Sequence, residues 1–222
     1  MRKKRFKHPA RVLALWAAVL AVVFGATLLG NVAMARYVAH VRAHDPAPHL
    51  NAAENSLNRN SYSEAWAQIE RAREKAPDAP RVYKVMGDFH FHQKHWKEAL
   101  EAYRTAIDKG TTSHGVYINA LWALIELRYY RDAVAFGEQC IAQGFQEPIF
   151  PRYIAEAHLR RGEQNEAIPH LERALEGYVN DPYLMRQLAA AYRATGRKTR
   201  AATLEQRIAE VEAAVERLRG GK

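Results

Sequence analysis

Five alanines, Ala65, Ala99, Ala133, Ala167 and Ala201, recur every 34 residues through this 222-residue chain. A fixed period of that length constrains the chain to stacked copies of one supersecondary unit, each burying its apolar face against the next. Seven residues after each alanine comes Ala72, Ala106, Cys140, Ala174 or Ile208; twelve before each comes Ala53, Gly87, Leu121, Ala155 or Ala189. Three mostly small positions therefore keep register, and small side chains at a contact let two helices approach closely. Such an array points to a binding surface rather than to a reaction.

Framed from Pro46, each unit holds two helical apolar patterns separated by a polar break. In the second unit Tyr83, Met86, Gly87 and His90 fall on one face of the first helix, and Ala99, Tyr103 and Ala106 on one face of the second, so the two faces meet. On these residues the chain resembles the tetratricopeptide repeat (TPR) family, whose pattern is a large residue, a Leu-Gly/Ala pair and an aromatic, then Ala, Phe/Tyr, Ala and Pro. The first unit matches with Ala53, Ala65, Ile69, Ala72 and Pro77, the fourth with Ile154-Ala155, Ala167, Leu171 and Ala174, and the fifth with Leu188-Ala189, Tyr192, Ala201 and Ile208. The third departs from it: Leu121 stands where Gly or Ala is usual and Gly137 where a large residue is usual, which predicts altered packing there. Pro80, Pro148 and Pro182 sit at or near helix starts, where a missing N–H costs little.

The resemblance implies an all-α, right-handed α-solenoid of about five TPR helix hairpins over residues 46–219, with a C-terminal capping helix. It also implies a concave face lined by the first helices. Mapped onto this sequence, the partner-binding candidates in that groove are Lys84, Asp88, Phe91, His92, Ile118, Asn119, Trp122, Tyr153, Glu156 and Arg160, with Leu50, Glu54, Ile125 and Leu159 beside them. A groove with Phe91, Trp122 and Tyr153 at its middle suits an extended or helical peptide with apolar anchors. Some family members grip a C-terminal carboxylate with a Lys/Asn/Asn/Lys/Arg clamp. Here Lys84 and Asn119 match, but Asp88, Ile149 and Tyr153 do not, which argues against that mode.

The N-terminus is of a different kind. Val12–Ala35 is 24 residues without a charge, and about 20 apolar residues suffice to cross a bilayer core. It is predicted to be a single transmembrane signal-anchor helix, following a basic cytoplasmic tail (1–11) and followed by a juxtamembrane linker (36–45). Six basic residues occupy the first eleven positions and only Arg36 and Arg42 flank the other end, so the positive-inside rule keeps the N-terminus cytoplasmic and places the repeat domain outside. Ala33-Met34-Ala35 also fits a small-x-small cleavage site, but the apolar stretch is longer than the 7–15 residues of a usual signal-peptide core. An Ala/Arg-rich chain with one cysteine and no Asn-x-Ser/Thr acceptor fits a bacterial inner membrane and periplasm.

Charge and chemistry narrow the function further. All 24 acidic residues lie from Asp45 onward, with 25 basic residues to match them. The folded part is therefore nearly neutral, and the reading as a nucleic-acid binder that a net charge of +9 suggests falls away. His90, His92 and His95, or His40 with His44, invite a metal or haem hypothesis, but side chains at the first spacing diverge around a helix. His90 and His158 stand at packing positions, as does Cys140. No catalytic triad, phosphate loop or paired-carboxylate motif is present. Neither a cofactor nor a catalytic activity is expected. The function expected is a membrane-anchored scaffold that binds peptide segments or membrane-complex subunits and assists assembly of an envelope complex. Alternatives are an accessory subunit held through its spanning helix, where Gly25, Gly30 and Asn31 offer contacts, and a metal- or haem-handling assembly factor. Leu204, Ile208, Val211, Val215 and Leu218 alternate four and three apart, a short seam suited to a cap or to a homodimer through the last helix.

Overall fold

The computed structural model describes residue 24 and residues 27–40 and 44–220. Most of the expected membrane span, residues 12–23 together with 25 and 26, and the basic tail before it lie outside the described residues. Among the described residues no helix is long and apolar enough to cross a membrane. Residues 27–40 are helical, so helix continues past Ala35 into the stretch expected as linker. Among the described residues ten further helices follow: α1 (Ala47–Asn58), α2 (Tyr62–Lys75), α3 (Pro80–His92), α4 (Trp96–Asp108), α5 (His114–Glu126), α6 (Tyr130–Ala142), α7 (Ile149–Arg160), α8 (Gln164–Gly177), α9 (Pro182–Ala194) and α10 (Lys198–Gly220). No strand occurs among them.

These helices form five hairpins, α1–α2 to α9–α10, and each helix packs on its chain neighbours. The first helices α1, α3, α5 and α7 also touch in succession, whereas α7 and α9 approach less closely. All fifteen residues of the 34-residue register are buried, from Ala53, Ala65 and Ala72 in the first hairpin to Ala189, Ala201 and Ile208 in the last. Each hairpin turns in the same way. Asn60, Lys94, Arg128, Gly162 and Gly196, again 34 apart, all have positive φ, between 58° and 78°. The next amide donates back five residues in each case, as His95 N–H does to the His90 carbonyl and Arg197 N–H to the Tyr192 carbonyl. This left-handed C-terminal cap satisfies carbonyls that a helix end otherwise leaves open. Glu64, Glu98, Asp132 and Glu166 in the first turns of α2, α4, α6 and α8 complement the positive helix start.

The third hairpin explains its own irregularity. In the second, Gly87 of α3 lies under the Tyr103 ring of α4, and a Cβ there would sit 2.5 Å from Tyr103 Cδ1. In the third, the corresponding residues are Leu121 of α5 and Gly137 of α6, so small and large have changed sides. A Cβ on Gly137 would meet Leu121 Cδ2 at 3.5 Å and Ile154 Cγ1 of α7 at 2.6 Å. Both Leu121 and Ile154 are fully buried. The volume that α6 lacks is supplied by α5 and by the next repeat, yet α5 and α6 touch less extensively than the two helices of the other hairpins, in line with the altered packing expected there. Interiors packed to crystal density require this kind of compensation.

The prolines just past the expected linker belong to a helix start: Pro46 is the N-cap of α1 and Pro48 lies in its first turn. At the other end, Ala201 and Leu204 of α10 join the core that α8 and α9 build, Ile208 is buried, Val211 is half-buried, and Val215 and Leu218 are exposed. Only the first half of the apolar seam is therefore covered within this chain. The close contact of the second hairpin gives a direct test. Gly87→Ala drives a methyl into the Tyr103 ring and should cost about 1–3 kcal/mol. Thermal unfolding should show that loss, and Gly87→Ala combined with Tyr103→Leu should recover part of it.

Candidate functional site

The concave side is built by the outward positions of α3, α5, α7 and α9, and its two halves differ. The N-terminal half is a closed polar network. Lys84 donates to Asp88 Oδ2 at 2.7 Å and to Glu54 Oε1 at 3.3 Å, and Arg81 donates to Glu54 at 2.9 Å and to Asn51 at 2.6 Å. From the other helix layer Tyr103 passes beneath Gly87 and donates its hydroxyl to Asp88 Oδ1 at 2.8 Å. Asn119 of α5 donates to the Tyr103 oxygen at 3.2 Å and to Asp88 at 3.4 Å. Burial alone would lower the Lys84 pKa, but Asp88 and then Glu54 outweigh it and hold the amine above its ordinary value. Burial, with the Asp88 charge second, pushes the Tyr103 phenol far above its usual range, so it stays a donor.

The middle and C-terminal part is aromatic and open. Phe91, Trp122 and Tyr153 follow one another edge to face, with ring centres 5.8 and 5.6 Å apart, a favoured geometry for aromatic pairs. Trp122 is 40% exposed and Tyr183 49%. Beyond this row a hollow of about 370 Å³ is lined by Trp122, Ile125, Glu126, Arg152, Tyr153, Glu156, Arg160 and Tyr183, at the small end of ligand clefts. Trp122 Nε1 donates to Glu126 at 3.2 Å, Arg160 pairs with Glu156 at 2.7 Å, and Gln187 donates to Glu156 at 3.1 Å. The Arg152 guanidinium lies over the Tyr183 ring, 5.8 Å from its centre. Burial pushes the Tyr153 phenol up to about 12. The hollow thus offers aromatic faces, with Glu126 and Arg152 the charged groups that no ion pair holds among the described residues.

Of the candidates named from sequence, Trp122, Tyr153, Glu156 and Arg160 line this hollow, while Phe91 joins its aromatic row and His92 is exposed at the end of α3. Lys84, Asp88 and Asn119 come together, but in the internal network with Glu54 rather than as free contacts. Ile118 and Leu159 are half-buried against the core. Leu50 corrects the expectation: it is 0% exposed and belongs to the apolar interior, while Ile125, 9% exposed, is mostly buried but still lines the hollow. Glu126, Arg152 and Tyr183 were missed. Advancing His92 and Ile118 by one 34-residue period gives Glu126 and Arg152, so the register that found the fold would have found these two as well.

A tetratricopeptide repeat profile matches residues 50–114 and 154–215, together more than half the chain. The chain belongs to the tetratricopeptide repeat family. Proteins of this kind are typically scaffolds that bind peptides or proteins rather than catalysts. Among solved structures it is similar to YrrB, described as a TPR protein with an unusual peptide-binding site, with 15% identity, a TM-score of 0.66, and 77% of this chain and 88% of that one covered. It is similar also to MamA from Desulfovibrio magneticus RS-1, with 14% identity, a TM-score of 0.69 and 77% and 96% covered. A third is PilF from Pseudomonas aeruginosa, with 17% identity, a TM-score of 0.64 and 77% and 78% covered. Likeness at these identities shows the fold. No curated protein sequence matches significantly.

The histidines divide between packing and surface. Among the described residues no group of three or more His, Cys, Asp or Glu side chains is placed to hold a metal ion. Burial pushes the Cys140 thiol up to about 11, the environment of an inert buried cysteine. His158 stacks on His170, with ring centres 5.6 Å apart, His158 Nδ1 lies 2.8 Å from Glu163, and His170 Nε2 lies 3.3 Å from Glu138. Burial, followed by the neighbouring His158 and Arg173, lowers the His170 pKa, and Glu138 opposes it. Burial likewise lowers the pKa of His90, whose Nδ1 is buried without a hydrogen-bond partner. For a base depressed in the folded state, stability is full above the unfolded value near 6.5 and falls as pH drops through the folded value. Melting temperature should therefore fall on acidification below about pH 6.5, and His170→Gln should flatten that dependence. A slope unchanged in this variant would remove His170 from the account.

Proposed function

We propose that this protein is a membrane-anchored scaffold whose TPR domain lies on the periplasmic side of a bacterial inner membrane. There it holds a segment of a partner protein in its concave groove and assists assembly of a membrane or envelope complex. The observation that carries the reading is the aromatic row, half-buried at Phe91 and Tyr153 and exposed at Trp122, that ends in the hollow between α5, α7 and α9. Aromatic anchors on a preformed concave surface are where peptide-binding energy concentrates. YrrB, which shares the fold, is described as having a peptide-binding site, and this supports the same use of the groove.

The anchor is supported by the uncharged stretch Val12–Ala35 and by its one-sided basic flank. The described part of that region adds to it: Phe24, Leu28, Leu29, Val32 and Met34 are all apolar and exposed among the described residues. Tethering to a membrane raises the effective concentration of domain and partner together. The groove is tested by crosslinked capture of partners from membranes. Trp122→Ala with Tyr153→Ala should leave the fold intact and weaken capture by about 30-fold or more, the loss of roughly 2 kcal/mol at an anchor. Unchanged capture by the folded variant would move the binding site elsewhere.

A second reading, a complex subunit that contacts its neighbours through the span itself, is favoured by Asn31 and Gly30 standing exposed on the helical segment. Replacing Val12–Ala35 by an unrelated spanning helix separates the two. Retained function supports the tether, and lost function with the protein still in the membrane supports the subunit.

A further inference from the structure

The edge of the solenoid formed by the turns inside each hairpin carries an arrangement that neither the core nor the groove explains. The turn residue with positive φ is Gly162 in the fourth repeat and Gly196 in the fifth, where the conformation is unstrained. In the second and third repeats the same position holds Lys94 at φ 60° and Arg128 at φ 61°, a backbone region that long L side chains rarely adopt. Two cations are thus held at a place where the fourth and fifth repeats use glycine and the first uses Asn60. Strain retained in this way is a mark of function.

Glu98 and Asp132 stand in the first turns of the helices that follow, and the cations around them are more numerous. Lys97 and Arg131, three residues further along their own repeats, are exposed, and neither they nor Lys94 and Arg128 have an ion pair among the described residues. Arg128 and Arg131 line a shallow hollow of about 410 Å³ with Arg161 of the next repeat and with Tyr129 and Tyr130. Tyr129 is half-exposed. Asp132 is the one acid lining this hollow, and Glu163 beside it is paired with Arg161 at 2.7 Å. The result is a ridge of unpaired cations on projecting turns of successive repeats, with phenol rings among them.

We propose that this edge docks on an anionic bilayer surface, Lys94, Lys97, Arg128 and Arg131 contacting lipid phosphates and Tyr129 settling at the headgroup level. Diffuse, unpaired cations on a ridge suit a surface of many equivalent phosphates, and exposed tyrosine suits its boundary. The inference rests on the membrane anchor proposed above.

The test uses the full chain reconstituted into neutral phosphatidylcholine vesicles and into vesicles with about 30 mol % phosphatidylglycerol. A membrane-impermeant acylating reagent reads each lysine, with Lys109, paired with Asp78 on the opposite edge, as internal reference. Acylation of Lys94 and Lys97 relative to Lys109 should be at least about threefold slower in the anionic vesicles, and roughly 0.5 M salt should abolish the difference. Arg128→Gly should raise or preserve the melting temperature, because glycine relieves the turn, and should still shrink the protection. Equal rates in the two vesicles would overturn the proposal, as would protection undiminished in Arg128→Gly or shared equally by Lys109. Protection by soluble poly-glutamate in neutral vesicles, with none from anionic lipid, would equally overturn it and assign the edge to an acidic protein. Failure of the anchor is seen separately, as a chain that does not incorporate into either vesicle.

Discussion

The contact on which this molecule depends is the meeting of one small and one large side chain between the two helices of each hairpin. Gly87 against Tyr103 is the tightest case, and Ala53 against Ile69 and Ala155 against Leu171 occupy the same places in other repeats; all of these side chains are buried. Because one partner is small, the helices come close enough for the large one to cross the interface instead of merely filling it. Tyr103 shows what this achieves. Its ring belongs to the core, while its hydroxyl emerges at Asp88 in the concave face. A residue of the outer helix layer thereby fixes the polar floor of the inner one, so core packing and groove geometry are one problem in this part of the solenoid.

That floor shapes what the groove can recognise. Glu54, Lys84, Asp88 and Asn119 satisfy one another, so a ligand that engaged them would have to break charge-assisted bonds worth more than neutral ones. The aromatic row and hollow beyond carry no such obligation. Trp122 and Tyr183 remain half-exposed, and burying them against a partner gains apolar area without disrupting an existing network. The groove is therefore divided by energetics into a rigid polar wall and a receptive aromatic floor. Specificity at its open end falls to Glu126 and Arg152, whose charges no ion pair holds among the described residues.

Much of this architecture was legible in the sequence because its core condition is local and periodic. The fifteen register positions are all buried, the hairpins fall where the apolar patterns placed them, and Pro80 and Pro182 open their helices. What escaped depends on neighbours that a single 34-residue frame does not contain. Whether an outward position of a first helix faces solvent is decided by the adjoining repeats, so Leu50 is covered although Trp122 on a later first helix is not. The joining of Lys84, Asp88, Tyr103 and Asn119 required side-chain reach across two layers, and the turn conformation of Lys94 and Arg128 has no signal in residue type, since neither favours positive φ.

The third repeat shows why pattern and fold can part company. The family profile matches residues on either side of it and passes over 115–153, the stretch that holds Leu121 and Gly137. A profile judges each position alone, whereas packing constrains the volumes of the positions that touch. Leu121 and Gly137 fail the first criterion and meet the second, with Ile154 of the next helix filling what remains. Once a hairpin satisfies its packing by exchange in this way, the outward residues of its first helix are no longer tied to the usual pattern. Trp122 and Glu126, which shape the open end of the groove, stand on the helix that made the exchange.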